Sequence, residues 1–302
     1  LAVRSRRTRP VMFTSAFVPL IGAVALALMI AAFHRRVAPR PAARVLTAAL
    51  LLVALAALPS LWIVGLGFLG HLPFLGHLLG WCASAVGLDE PISPFVGVPA
   101  VAASVFGIVR MAQVLATYRR TRVSRWSPVN VAAEHVPVAY TLPGSAGRVV
   151  VSTGLVSMLA VDELDVVLAH ERAHGVHRHD RMVLLARLSQ AALPVLRPLR
   201  DRLLFTLERW ADEDAVIAAG GDRRFVARTI AKVALQASVP VSALSIAGLG
   251  VPARVDALLR PPTMDRSSVL LSSIWLAIAG TAVMASYQLH HLAAFVSALC
   301  PG

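Results

Sequence analysis

VDELDVVLAHERAHGVHRHD, residues 161–180, decides how the rest of this 302-residue chain is read. Asp162, Glu163 and Asp165 stand where the positive end of a helix dipole favours acids, and Leu164, Val167 and Leu168 recur at helical spacing. A helix is therefore expected from Val161. Nothing stops it before Pro194, so the expectation is one unbroken helix to about Leu193. On it, His170-Glu171-Arg172-Ala173-His174 is an HExxH motif. The i, i+4 spacing puts both imidazoles on one face, a turn apart, where both can bind one zinc ion while Glu171 sits beside the metal's open position. Glu171 can there deprotonate a zinc-bound water whose pKa the metal has lowered towards 7. A five-letter pattern with three fixed positions also arises by chance, so the motif must be weighed against a polar helical surface with incidental histidines.

A catalytic zinc takes three protein ligands and a water, so a third ligand is needed from elsewhere. The next helix, expected over 201–219 and closed by the C-cap signal Gly220-Gly221, carries Glu208-Arg209-Trp210-Ala211-Asp212. Glu208 can complete the site. Asp212, one turn on, can accept from a ligand histidine and fix its tautomer. The plainer reading, a solvated acidic face, suits Glu213 and Asp214 better. Asp180 could support the site in the same way as Asp212, or pair with an arginine on the helix surface. His177 and His179 are expected to face solvent, because the ligand set is already complete. The transition-state oxyanion needs a donor, and Arg209, His177 and His179 remain unranked for it. Tyr140 is expected to pack rather than react.

Before the motif helix, Pro143, Gly144 and Gly147 mark a turn, and Arg148, Val149, Val150, Val151 and Ser152 form a β-branched run typical of a strand. After it, an amphipathic helix is expected over 223–237.

With 57% hydrophobic and 15% charged residues, the composition is far from that of an ordinary soluble domain. Four charge-free stretches, 11–33, 45–68, 92–109 and 269–288, are long enough to cross a bilayer. The net charge of +13 comes largely from arginines flanking these stretches, where cytoplasmic anchoring explains them, so no nucleic acid is expected as a partner. Arg35, Arg36, Arg40 and Arg44 follow the first span and Arg119, Arg120, Arg122 and Arg125 the third, which puts both segments in the cytoplasm. The basic leader Arg4, Arg6, Arg7 and Arg9 conflicts with that orientation unless translation starts at Met12. Cys82 and Cys300 form no CxxC pair, and His71, His77, His290 and His291 sit at membrane edges. Three units are expected: a membrane region over 1–117 with three transmembrane helices, a cytoplasmic domain over 118–266, and a C-terminal span over 267–302. The fold class is mostly α, a polytopic membrane protein with about four transmembrane helices and a small α+β domain between the third and fourth.

HERAHGVHRHD followed by ERWADEDA, preceded by LPG and GRVVVSTGL and framed by three spans before and one after, resembles the BlaR/MecR antirepressor-type membrane metallopeptidases. More distantly the chain is similar to HtpX-type membrane proteases. The resemblance implies a gluzincin fold with Zn2+ held by His170, His174 and Glu208, with Glu171 as base, and with residues 148–152 as an edge strand along which a substrate peptide lies extended. It also implies a bacterial, multi-pass cell-membrane protein whose domain faces the cytoplasm and cuts a protein substrate, a transcriptional repressor or itself. The β-lactam sensors of that family continue into an extracellular penicillin-binding domain, whereas this sequence ends at Gly302, so antibiotic sensing by such a domain is not expected. No pair of apolar spans separates His174 from Glu208, which fits the HtpX type less well. Two alternatives stand beside this reading: quality control of membrane proteins, and a non-catalytic signalling scaffold that keeps the fold.

Overall fold

The computed structural model describes residues 21–32, 35, 37–75, 91–122, 129–132, 135–142, 149–236 and 241–260, with scattered helical positions between 272 and 286. The described part is mostly helical. In chain order it comprises α1 (Ile21–Ala32), α2 (Pro39–Gly70), α3 (Pro94–Arg122), β1 (Val129–Ala132), β2 (Ala139–Thr141), β3 (Val149–Ser152), α4 (Thr153–Met158), α5 (Val161–Val176), α6 (His179–Ala192), α7 (Arg197–Ala218), α8 (Arg223–Gln236) and α9 (Val241–Leu259).

Two of these helices, Pro39–Gly70 and Pro94–Arg120, are long and apolar enough to cross a membrane, which weakly suggests a membrane protein. They contain the second expected span and the third from Pro94 on. The first half of the first expected span and most of the fourth lie outside the described residues. On α3, Phe95, Val96, Val98, Val105, Phe106, Ile108 and Val109 are all exposed. Such an apolar stretch facing outward is costly in water and favourable in lipid. In α2, by contrast, Val45, Leu46, Leu50 and Val53 are buried in one core with Leu199, Leu203, Leu207 and Trp210 of α7. α2 and the Glu208-bearing α7 thus share a core. Arginines strengthen that junction, with Arg40 and Arg44 of α2 lying 5.8 and 6.0 Å from the Trp210 ring and Arg35 lying 5.4 Å from Phe205.

The motif helix does not run unbroken to Leu193. It stops at Val176, and Arg178 adopts a left-handed conformation (φ 54°) before α6 begins at His179. Neither glycine nor proline occupies that position, so sequence propensity gave no sign of the break. The start agrees with expectation: the Glu163 carboxylate accepts from the Ala160 N–H at 2.9 Å and pairs with Lys232, tying α8 to α5. Pro194 follows the end of α6 in a short 3₁₀ turn. At the end of α7, Gly220 and Gly221 take positive φ, and the Gly221 N–H reaches back to the Val216 carbonyl at 2.9 Å. That 6→1 closure requires the left-handed backbone that glycine adopts without strain. Asp222 then caps α8 through the Phe225 N–H at 2.9 Å.

The three strands form one sheet in the order β1-β3-β2, with β1 parallel and β2 antiparallel to β3. The run read as an edge strand is therefore central. Val149, Val150, Val151 and Ser152 are all buried, and β3 has neighbours on both sides, leaving no row of N–H and C=O groups for a peptide. Arg148 lies outside the described residues. Ser152 works locally, its hydroxyl accepting from the Leu155 and Val138 N–H groups at 3.1 and 2.9 Å. Among the described residues, the strand next to α5 that pairs on one side only is β2.

Candidate metal centre

His170 and His174 project from consecutive turns of α5, and Glu208 meets them from α7. The Nε2 atoms of the histidines are 3.2 Å apart, His170 Nε2 is 3.4 Å from Glu208 Oε2, and His174 Nε2 is 3.6 Å from Glu208 Oε1. A tetrahedral zinc site with bonds of about 2.0–2.1 Å sets neighbouring ligand atoms about 3.3–3.4 Å apart. All three separations lie close to that value, so the donor set fits a single zinc ion in both chemistry and spacing. Among the described residues these three form the one group of His, Cys, Asp and Glu side chains close enough to hold a metal.

Asp212 stands behind His170, with its Oδ1 3.0 Å from His170 Nδ1 at 2% side-chain exposure. The contact is an ion pair rather than a hydrogen bond. Sequence reasoning missed the residue that balances this carboxylate. Arg254, from α9, donates from Nε and Nη2 to Asp212 at 2.8 and 2.6 Å and places Nη1 3.0 Å from Glu208. One buried guanidinium thereby ties a candidate ligand to the residue supporting another.

The electrostatics follow from this crowding. Burial pulls the His170 imidazole down, but the adjoining Asp212 and Glu208 carboxylates outweigh it and hold the group up at about 10. Burial raises Glu208 and Asp212, yet His170 and Arg254 overcome it and keep both carboxyls below their ordinary range. His174 is lowered, chiefly by burial.

Glu171 lies on the wall of a cleft of about 700 Å³ that also takes in His174, Glu208 and the β2 residues Ala139, Tyr140 and Thr141. The Thr141 hydroxyl is 2.8 Å from Glu171 Oε2 and 2.6 Å from the Glu171 carbonyl. A hydroxyl has one proton, so it donates to one of these oxygens at a time. α3 also lines the cleft, through Arg110, Gln113, Val114, Thr117 and Tyr118 on its last turns.

The remaining expected residues fall as follows. Asp180 accepts from the Tyr118 hydroxyl at 2.9 Å, joining α6 to α3. His179, expected in solvent, is 1% exposed, and its Nδ1 lies 2.9 Å from His174 Nδ1. Burial, then the neighbouring His174 and His177, push its imidazole down to about 3. His177 pairs with Asp214 at 2.6 Å and stacks on Trp210, ring centroids 4.5 Å apart. Arg209 is not among the cleft-lining residues, and its Nε and Nη1 are buried with no hydrogen-bond partner among the described residues. Tyr140 is half exposed on the cleft wall.

Residues 107–237 match the model of Peptidase family M48, a family of zinc metallopeptidases, over less than half of the chain. The matched segment contains both motif helices, the sheet and the last turns of α3, and it supports a gluzincin-type metallopeptidase. No curated protein and no solved structure matches the chain.

Proposed function

We propose that this protein is a membrane-anchored zinc metalloendopeptidase whose ligands are His170, His174 and Glu208 and whose catalytic base is Glu171. The observation that carries the reading is the convergence of two imidazole Nε2 atoms and the Glu208 carboxylate, with separations of 3.2 to 3.6 Å, and Glu171 on the wall of the same cleft. Bound zinc would supply a Lewis acid that polarises the scissile carbonyl and acidifies water. Glu171 would take the proton of the attacking water and pass it to the leaving amine. Of the donors weighed for developing negative charge, Arg209 does not line the cleft, while His177 is engaged with Asp214 and His179 with His174. The substrate backbone would extend along the free edge of β2, the β-augmentation role that β3 cannot fill.

The proposed organisation is a membrane region over 1–117, a peptidase domain over 118–266 facing the cytoplasm, and a last span over 267–302. The stacking of Arg35, Arg40 and Arg44 on α7 supports one side for the juxtamembrane arginines and the domain. The proposed substrate is a cytoplasmic transcriptional repressor or the protein itself, as for BlaR/MecR-type peptidases. A second reading, quality control of membrane proteins, is favoured by the cleft wall formed by α3 immediately after its exposed apolar stretch. Comparing proteomes of cells expressing wild-type and Glu171→Ala protein tests both. A single repressor fragment, or a self-cleavage product, made only by the wild type supports the first, and many membrane-protein fragments support the second. Identical proteomes would contradict a protease altogether.

A further inference from the structure

We propose that His179 is a positioning residue for the metal centre: its Nδ1 accepts the Nδ1–H of His174 and so fixes the tautomer and ring orientation in which His174 presents Nε2 to zinc. This rests on the reading of His174 as a ligand.

Three independent observations carry it. The first is the contact itself, Nδ1 to Nδ1 at 2.9 Å, with the rings edge-on at 84°. A histidine that offers Nε2 to a metal keeps its proton on Nδ1, so His174 must be the donor and His179 the acceptor. The second is the left-handed Arg178. Five residues along an unbroken helix turn a side chain by about 140° net, which would carry residue 179 away from the face bearing residue 174. The break at 177–178 allows α6 to begin with His179 turned back onto α5. A non-glycine residue with φ 54° stores strain, and such strain gathers where geometry serves a site.

The third observation is the state of the other nitrogen. With Nδ1 accepting, His179 must carry its proton on Nε2, and Nε2 is buried with no hydrogen-bond partner among the described residues. For stability alone, an apolar side chain of similar size would be the better choice here. The ring is held by Trp210, whose centroid lies 4.8 Å away. The centre is thus backed differently on its two sides, with His170 against the carboxylate of Asp212 and His174 against an uncharged imidazole. Such outer partners typically contribute about 10–100-fold to metal affinity.

The test is the Zn2+ dissociation constant of the full chain in detergent, measured by competition with a chromophoric chelator, alongside melting of the metal-free forms. Asn at 179 offers an oxygen where histidine has Nδ1, Gln offers it nearer Nε2, and Leu offers none. The proposal expects His179→Asn to bind zinc within about threefold of wild type, and His179→Leu and His179→Gln to bind about 10–100-fold more weakly. It also expects the metal-free Leu variant to melt no lower than wild type. Equal affinity in all four proteins overturns it, as does an Asn variant as weak as Leu; if Leu fails to fold, the contrast between Asn and Gln decides alone. His174→Ala separates the two claims, because retention of wild-type zinc affinity there would remove the underlying ligand assignment and not merely the role of His179.

Discussion

Arg254 of α9 grips Asp212 of α7 with two hydrogen bonds, 2.8 and 2.6 Å, in a setting where both side chains are nearly excluded from water. A buried carboxylate deprived of its cation is left as an uncompensated charge, which costs about 3–5 kcal/mol. Arg254→Ala should therefore lower stability by about that amount, and Arg254→Lys should recover only part of it, since an ammonium cannot reproduce the fork. Denaturant melts of the two variants check this, and an alanine variant as stable as wild type would show that the pair carries no net burden.

Stability of the zinc-free protein should fall in mild acid. His179 has its pKa depressed from an ordinary 6.5 to about 3, so the unfolded chain takes up a proton that the folded chain refuses. The contribution is fully present above pH 6.5 and is lost as pH falls towards 3. At pH 5 the loss is about 2 kcal/mol. Asp212 and Glu208, both depressed, add to the loss at lower pH, below the ordinary carboxylate range. His170, raised to about 10, works in the opposite sense, its contribution complete below pH 6.5 and lost as pH climbs through 10. A melting series from pH 7.5 to 5 on wild type and His179→Asn measures the difference, and parallel curves would contradict it.

Trp210 is 4% exposed, stacks on His177 and lies beneath Arg40 and Arg44. Its replacement by alanine should cost about 3–5 kcal/mol through the cavity left behind. Because the ring also supports His179, zinc affinity should weaken with it, which metal titration of the variant would reveal.

Much of the site was legible because it lies on helices whose spacing is fixed by geometry. HExxH and the Glu208/Asp212 pair each need only i, i+4 arithmetic to put two side chains on one face, and Gly220-Gly221 ends α7 as a glycine pair should. What escaped depended on tertiary neighbours. Arg254 comes from a helix 42 residues beyond Asp212 and carries no motif of its own. The left-handed Arg178 has no propensity signature. The central place of β3 could have been suspected, because a run of three valines, apolar on both faces, suits a strand covered on both sides rather than an edge. The bond from Thr141 to Glu171 joins β2 to α5 across 30 residues and had no signal in the sequence.

The central claim is that His170, His174 and Glu208 hold one zinc ion that Glu171 serves as base. Its most direct measurement is zinc content together with peptide-bond cleavage for purified wild type, Glu171→Ala and Glu208→Ala. Wild type should carry about one zinc per chain, Glu171→Ala should keep the metal while cleavage falls about 10²–10⁴-fold, and Glu208→Ala should lose both. Stoichiometric zinc in Glu208→Ala, or undiminished cleavage by Glu171→Ala, would contradict it.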